Sequence, residues 1–266
     1  MTELGSYVYG VARGVDPATV AGLTGVAGNP VRVVAYAALS ALVSTVDLAE
    51  FGEPGLRSNL EDLGWLEATA RAHHTALAAA VPAGPVVPLR LATIFRGDDG
   101  VRALLAERGA MFDATLRRIQ GRTEWGLKAY LDPGERAAPT VDRGDPDAPG
   151  TTYLRRRRAQ RQEGEELRHA AAQGAEVIHR AVSAVAEAAR RYPPQNGELS
   201  GEPREMVLNA AYLLPGADRA PLEQALEQAL EEAGEQAGEQ AGTWPLRVRW
   251  TGPWVPYSFV ELEPEP

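Results

Sequence analysis

A stretch rich in proline and glycine divides this chain and limits what it can fold into. Residues 132–152 read DPGERAAPTVDRGDPDAPGTT, with four prolines, three glycines and Val141 as the one large apolar residue. Such a segment cannot bury a core, and its composition is typical of a loop or linker. The whole chain has 266 residues, which suffices for two ordinary domains. We therefore expect a linker at 132–152 between a domain at 1–131 and a second domain at 153–266.

Apolar periodicity predicts the elements of the first domain. They are a strand at 6–11, a hairpin at 31–46, a helix at 56–80, a strand at 86–95, a helix from Asp98 or Asp99 to Ile119, and a strand at 124–131. This order suits an antiparallel or mixed sheet with helices on one face. The predicted fold class is α+β, and the first domain is expected to be ferredoxin-like.

The helix at 56–80 has the clearest apolar stripe of the first domain. Its apolar positions follow one another at steps of three and four residues, which places them on one helical face. They are Leu56, Leu60, Leu63, Leu66, Ala70, His74 and Leu77. The stripe predicts the face that packs on the sheet, with His74 at the edge of the core and His73 on the solvent margin.

The second domain is predicted to be smaller, also α+β, with one long helix. We expect a helix at 153–191, a strand at 205–214, a helix that begins near Pro221 and a final strand at 246–250. A glutamate repeat at 223–241 lies in the second of these helices, whose later half is weakened by Gly234, Gly238 and Gly242. In the final strand, Leu246, Val248 and Trp250 should face inward and Arg247 and Arg249 outward.

The residues that support most catalytic and metal chemistry are scarce. The chain has no cysteine and four histidines, and the adjacent pair His73 and His74 points in two directions on a helix. Neither a G-x-S-x-G elbow nor a phosphate-binding glycine loop occurs. Asp98 and Asp99 are interpreted as helix-capping residues rather than as metal ligands. We therefore expect no enzymatic activity, no cofactor, no metal and no small-molecule substrate.

Charge and hydropathy restrict the setting of the protein. The formal net charge is −9, which opposes binding to phosphate backbones. The start, Met1-Thr2-Glu3-Leu4, carries an acid where a secretory signal would carry positive charge. The apolar run at 33–46 has 14 residues, fewer than the roughly 20 that cross a bilayer. The expected location is the cytoplasm, without a membrane span.

One basic cluster runs against the acidic composition. Arg155, Arg156, Arg157, Arg158 and Arg161 lie at the start of the predicted long helix. Three acids follow, namely Glu163, Glu165 and Glu166. The favoured interpretation is a solvated helix start stabilised by pairs of opposite charge. A nucleic-acid-binding or partner-docking patch is the alternative, and it carries the second function hypothesis, a nucleic-acid-binding regulator that uses Arg155–Arg161.

Aromatic residues crowd the C-terminal region. Core packing is the default interpretation of such a group, and an exposed patch for protein contact is the other. The candidate partner-binding residues are Trp250, Trp254, Tyr257 and Phe259.

Five stretches, in order along nearly the whole chain, carry a family resemblance. They are Tyr7-Val8-Tyr9-Gly10-Val11, 87–95 (VPLRLATIF), 124–130 (EWGLKAY), 209–214 (NAAYLL) and 252–259 (GPWVPYSF). Together they resemble the gas vesicle protein GvpL/GvpF family. The resemblance implies a two-domain α+β protein with a ferredoxin-like N-terminal domain.

The resemblance also implies a function. Members of that family are taken to be accessory or minor wall proteins that contact the small, very apolar main shell protein during gas vesicle assembly. The implied partners are that shell protein and other gas vesicle accessory proteins, and the implied location is the gas vesicle, with the cytoplasm during assembly. No catalytic residues are associated with the family, and nucleic acid is not an expected partner.

Overall fold

The computed structural model describes residues 3–132, 150–195, 202–237 and 245–260, and they form two compact units. The first unit takes the described residues up to Glu124 together with those from Trp254 onward, and the second comprises those of Trp125–Pro253. Each unit contains one sheet and its own helices. The predicted α+β class is confirmed.

A five-stranded antiparallel sheet forms the centre of the first unit. Its strands are β1 (Leu4–Arg13), β2 (Val31–Tyr36), β3 (Leu39–Asp47), β4 (Val86–Pro88) and β5 (Ile94–Phe95). The order is β2-β3-β1-β4, and β5 also pairs with β1. The predicted first strand and hairpin are confirmed. The strand expected at 86–95 is instead two short strands, because Ala92 adopts a positive φ of 62° between them.

The central strand β1 changes its facing at a bulge. Its register with β3 shifts between Val8 and Gly10, where one residue is added to β1. Tyr7 and Tyr9 face one side of the sheet, whereas Val11 after the bulge faces the other side, although unbroken alternation would place Val11 with the tyrosines. A Cβ atom at Gly10 would lie 2.6 Å from Leu77 Cδ2 and 2.6 Å from the Val87 carbonyl oxygen. The absence of a side chain at Gly10 therefore allows a helix to pack closely on this strand.

Helices cover both faces of the first sheet. The helices are α1 (Leu48–Phe51), α2 (Glu53–Asn59), α3 (Leu63–Ala80), α4 (Asp98–Glu107) and α5 (Gly109–Ile119). The core on one face includes Ala76 and Leu77 of α3. The core on the other face includes Leu105 of α4 and Phe112 of α5. The prediction that helices occupy one face was wrong, because the strands of this sheet bury side chains on both sides.

Both predicted helices of the first unit are broken in two. The helix expected at 56–80 is interrupted because the Asp62 carboxylate accepts hydrogen bonds from the N–H groups of Gly64 and Trp65, and so starts a new helix. The helix expected from Asp98 to Ile119 is interrupted at Arg108, which precedes Gly109, a poor helix former. Asp98 makes no capping hydrogen bond at the start of α4. Its carboxylate instead binds both terminal nitrogens of Arg32, each at 2.8 Å.

The second unit has a four-stranded sheet of order β7-β8-β6-β9. The strands are β6 (Arg122–Leu131), β7 (Ala188–Arg191), β8 (Met206–Pro215) and β9 (Leu246–Trp254), and the helices are α6 (Gly150–Val185) and α7 (Ala220–Ala237). Ala175 and Ile178 of α6 and Leu222 and Leu226 of α7 share one core with the sheet. In β9, Leu246, Val248 and Trp250 contact this core, while Arg247 and Arg249 are exposed, as predicted.

Several boundaries of the second domain differ from the prediction. The long helix α6 ends at Val185, and Ala188–Arg191, expected to be helical, is strand β7 paired with β8. The strand expected at 124–131 belongs to the second sheet, and residues 254–260 belong to the first unit. The domain boundary predicted at 131 therefore differs from the units observed. Strand β6 is hydrogen-bonded to β8 and β9 of the second sheet, although it follows the helices of the first unit in sequence.

Two predictions fall partly outside the described residues. Of the linker predicted at 132–152, residues 133–149 are not described and 150–152 begin α6. Of the glutamate repeat, α7 contains the part up to Ala237, and Gly238 and Gly242 lie outside the described residues. Among the helices that the structure describes, none combines the length and the apolar character that a membrane span requires.

Candidate protein-binding surface

The helix α3 is fixed at its first turn by side chains from neighbouring elements. Asp62 Oδ1 accepts the Gly64 N–H at 2.8 Å and caps the helix. The indole N–H of Trp65 donates to Glu50 Oε1 at 2.8 Å, and the ring of Trp65 packs against Phe51. The cap fixes where α3 begins, and the contacts of Trp65 with Glu50 and Phe51 orient the helix about its axis.

This rotation buries one face of α3 and leaves an adjacent apolar face open. The buried residues are Thr69, His73, Ala76, Leu77 and Ala80. The residues that we name the outer row are Leu63, Leu66, Ala70, His74 and Ala78, spaced by three or four positions and partly or fully exposed. Because successive residues turn by about 100° around a helix, the outer row lies beside the buried face rather than opposite it. Leu63 is 76% exposed.

Trp254 extends the outer row beyond the helix. Its ring meets the ring of His74 edge-on, with centroids 5.2 Å apart and an interplanar angle of 70°. Trp254 is 40% exposed although indole is mainly apolar. We name the outer row together with Trp254 the α3–Trp254 surface. Apolar side chains in such a continuous exposed group are typical of protein-binding sites.

Tyr257 lies close to the same helix on its buried side. Its ring centroid is 6.4 Å from that of His73, and the residue is 39% exposed. Burial, and secondarily the negative charge of Glu124, raise the pKa of the Tyr257 hydroxyl above its ordinary value. Tyr257 therefore combines a contact with the buried side of α3 and a partly exposed side chain.

The other two predicted contact residues take part mainly in packing. Phe259 is only 4% exposed. Trp250 is half-buried against the core of the second unit, near the ring of Tyr212 and the guanidinium group of Arg219. The structure thus brings Trp254 and Tyr257 together near α3, and it places Trp250 in the other unit.

A polar cluster lies beneath the surface. The Tyr7 hydroxyl and His73 Nδ1 are 2.9 Å apart, and the same hydroxyl accepts the Ala92 N–H at 3.2 Å. Burial, with His74 as a further contribution, lowers the pKa of His73 to about 4. His73 is therefore neutral at neutral pH, and a neutral imidazole can join Tyr7 inside the core without a counter-ion. The prediction that His73 lies on the solvent margin was wrong, because His73 is buried. His74 is half-buried, as expected for a residue at the edge of the core.

Sequence reasoning missed the outer row because it assigned those residues to the core. Leu63, Leu66, Ala70 and His74 all belong to the predicted core stripe, yet only Leu77 of that stripe is fully buried. The available signal was the width of the apolar region, since Ala72, Ala76 and Ala80 add a second apolar face. A helix that is apolar over two faces packs one against its own sheet and can offer the other to a partner.

The basic cluster lies on an exposed part of α6. Arg155, Arg157, Arg158 and Arg161 are exposed, and so are Glu163, Glu165 and Glu166 directly after them. These opposite charges lie one to three turns apart on the same helix, where they reduce each other's field. The arrangement agrees with a solvated helix segment.

The described residues offer little that could hold a metal. No group of three or more histidine, aspartate or glutamate side chains comes together within residues 3–132, 150–195, 202–237 and 245–260. What the site geometry does provide is an apolar surface on a rigid helix. The fold and this surface define an α+β protein with two antiparallel sheets and an exposed apolar contact area.

Comparison with known proteins identifies the family. Residues 5–261 match the profile described as Gas vesicle synthesis protein GvpL/GvpF. Gas vesicle protein L of Streptomyces sp. (strain CB03234) is 38% identical over 270 residues, covering 99% of this chain and 96% of that protein. The chain belongs to the GvpL/GvpF family of gas vesicle proteins.

A second relative and two solved structures are similar to this chain. Gas vesicle protein F of the same Streptomyces strain is 35% identical over 131 residues, which is 48% of this chain and 50% of that protein. The crystal structure of GvpF from Anabaena sp. PCC7120 matches with a TM-score of 0.62 at 21% identity, covering 98% of this chain and 97% of that one. The crystal structure of GvpF from Microcystis aeruginosa matches with a TM-score of 0.59 at 20% identity, covering 97% of this chain and 99% of that one. Because the sequence identities are only 21% and 20%, the two structures support the fold of this chain and nothing more.

The family resemblance predicted from the five sequence stretches is thereby confirmed. Membership supports a role in gas vesicle assembly and an association with gas vesicles. The α3–Trp254 surface is the feature of the described residues that suits a protein partner.

Proposed function

We propose that this protein assists formation of the gas vesicle wall by binding the small, apolar main shell protein through the α3–Trp254 surface. The observation that carries the proposal is the exposed apolar row on α3, extended by Trp254. Family membership supplies the biological setting, which is gas vesicle assembly.

The chemistry of the surface suits an apolar partner. Leu63 at 76% exposure and Trp254 at 40% leave much of their apolar area in water. Burying one large apolar side chain contributes about 1.5–3 kcal/mol. A partner with a matching apolar segment gains this contribution, whereas a charged polymer does not. Covering the apolar segment of a shell subunit would also protect that subunit from premature aggregation.

The remaining features of the proposal follow from this role. The protein acts without catalysis, cofactor or small-molecule substrate, and it works in the cytoplasm during assembly. Other gas vesicle accessory proteins are further partners. Nucleic-acid binding through Arg155–Arg161 is not proposed, because the neighbouring glutamates and the net charge of −9 oppose it.

Binding of the shell protein to matched variants tests the proposal. Trp254→Ala and Leu63→Glu should each weaken binding about tenfold or more, since each removes an apolar side chain that the partner would cover. Tyr36→Ala and Val185→Glu are the controls, because both residues are 44% exposed and lie elsewhere. Circular dichroism confirms that each variant is folded. Equal binding by the wild type and both α3–Trp254 variants would remove this surface from the interface.

A further inference from the structure

The C-terminal segment that carries Trp254 is anchored at several points in the first unit. Val255 is 5% exposed and belongs to the core that includes α3, and Val260 packs against the core on the other face of the sheet. Phe259 is buried between them in sequence. Apolar contacts therefore hold the segment to the unit but specify little about its exact rotation, because hydrophobic burial is non-directional.

One side chain forms directional hydrogen bonds with this segment, which the apolar contacts do not provide. Glu124, near the start of β6, is only 7% exposed. Its Oε2 accepts the backbone N–H of Ser258 at 2.8 Å, and its Oε1 accepts the Ser258 hydroxyl at 2.6 Å. Both carboxylate oxygens thus bind the same residue, one through the backbone and one through the side chain. Charge-assisted hydrogen bonds of this kind are short and directional.

We propose that Glu124 is a positioning residue for the α3–Trp254 surface: by holding Ser258 through two hydrogen bonds, its carboxylate fixes the Trp254 ring edge-on against His74. The proposal rests on the proposed function only for its consequence, which is partner affinity. Its structural part concerns residues within the first unit. Ser258 is four residues from Trp254, and Val255 and Tyr257 between them both contact the region of α3.

Glu124 also acts on the residue directly before Ser258, since its negative charge contributes to the raised pKa of Tyr257. The contact itself is given by the two hydrogen bonds to Ser258. Two of the sequence stretches quoted above, 124–130 and 252–259, therefore meet in the fold at Glu124 and Ser258. No periodicity connects them, since they are separated by more than a hundred residues.

The first part of the test measures the position of Trp254 without any partner. A ring centroid 5.2 Å away shifts the NMR resonances of the His74 ring, and exchange of the Ser258 amide reports its bond to Glu124. In Glu124→Ala we expect the ring-current shift to fall and the amide to exchange about tenfold faster. Glu124→Gln keeps one acceptor oxygen of the same shape and should restore part of both signals. Asp113→Ala, which removes a tertiary carboxylate bound to Arg13, is the control and should change neither.

The second part measures binding of the shell protein to the same variants. We expect the affinity to fall in the order wild type, Glu124→Gln, Glu124→Ala, with about a tenfold loss at the end of the series. An unchanged His74 ring-current shift in Glu124→Ala would overturn the positioning role whatever the affinity. A lost shift with unchanged affinity would uphold the position of Trp254 but overturn its link to binding, and would count against the proposed function.

Discussion

Helices α3 and α6 join their sheets in the same way but present different surfaces to solvent. His73 Nδ1 on α3 lies 2.9 Å from the Tyr7 hydroxyl of β1, and His179 Nδ1 on α6 lies 2.8 Å from the Tyr212 hydroxyl of β8. The ring centroids are 5.7 Å and 5.8 Å apart. Each unit therefore uses a histidine and a tyrosine to place a helix on a strand.

The outer faces of these helices differ in polarity. The open face of α3 carries Leu63, Ala70 and Ala78, whereas the exposed first turns of α6 carry arginines and glutamates. Water solvates the charged segment of α6 fully, so its exposure requires no partner. The apolar face of α3, in contrast, is stabilised only when a partner covers it. The comparison favours α3 over α6 as the candidate surface for a partner.

The buried histidine of α3 should make the stability of the protein strongly dependent on pH. Burial lowers the pKa of His73 from 6.5 to about 4. The unfolded chain therefore takes up a proton near pH 6.5 that the folded protein does not bind until about pH 4. Stability from this group is fully present above pH 6.5 and should decrease by about 3 kcal/mol as the pH falls towards 4. Urea unfolding at pH 7, 6, 5 and 4 measures this loss.

Two variants sharpen the comparison of the helices. His73→Gln has no titratable imidazole, so its stability should depend less on pH between 7 and 5. Burial also lowers the pKa of His179, but His179 is more exposed than His73. His179→Gln should therefore change the dependence of the unfolding free energy on pH less than His73→Gln does. If the unfolding free energy depends on pH equally in the wild type and in His73→Gln, the neutral, buried state assigned to His73 is contradicted.

A smaller effect is expected from the ion pairs that join helix to strand in each unit. Asp98 of α4 binds Arg32 of β2 and accepts the hydroxyl of Ser6, and these contacts lower the pKa of Asp98. Glu176 of α6 binds Arg191 of β7 in a more exposed position. We expect Asp98→Asn to reduce the free energy of unfolding by about 1–2 kcal/mol and Glu176→Gln by less than about 1 kcal/mol. Thermal and urea unfolding at neutral pH measure both, and the reverse order would refute the assigned difference in burial.

Much of the architecture could be predicted because the strands carry strong local patterns. The alternation of Leu246, Val248 and Trp250 with arginines predicts β9, and the β-branched residues around Val8 predict β1. The α+β class follows from the order of such elements. Strand β7 could not be predicted, because Ala188–Arg191 contains no β-branched or aromatic residue and forms a strand only through pairing with β8.

The surface could be predicted only in part. Aromatic composition indicated Trp254 and Tyr257, but it could not separate them from Phe259, which is buried. The outer row of α3 was hidden because apolar side chains cover two adjacent faces of that helix. Which face packs on the sheet depends on tertiary contacts such as the hydrogen bond between Trp65 and Glu50. The pairing of Glu124 with Ser258 depends on long-range folding and has no local signal.

Hydrogen exchange of the full chain with and without the main gas vesicle shell protein locates the surface that the shell protein covers. We expect slower exchange in residues 63–81 and 254–258 when the shell protein is present, and no change in residues 155–166 of α6. Protection confined to residues 155–166, or binding of the shell protein without any change in residues 63–81 and 254–258, would contradict the proposed role of the α3–Trp254 surface.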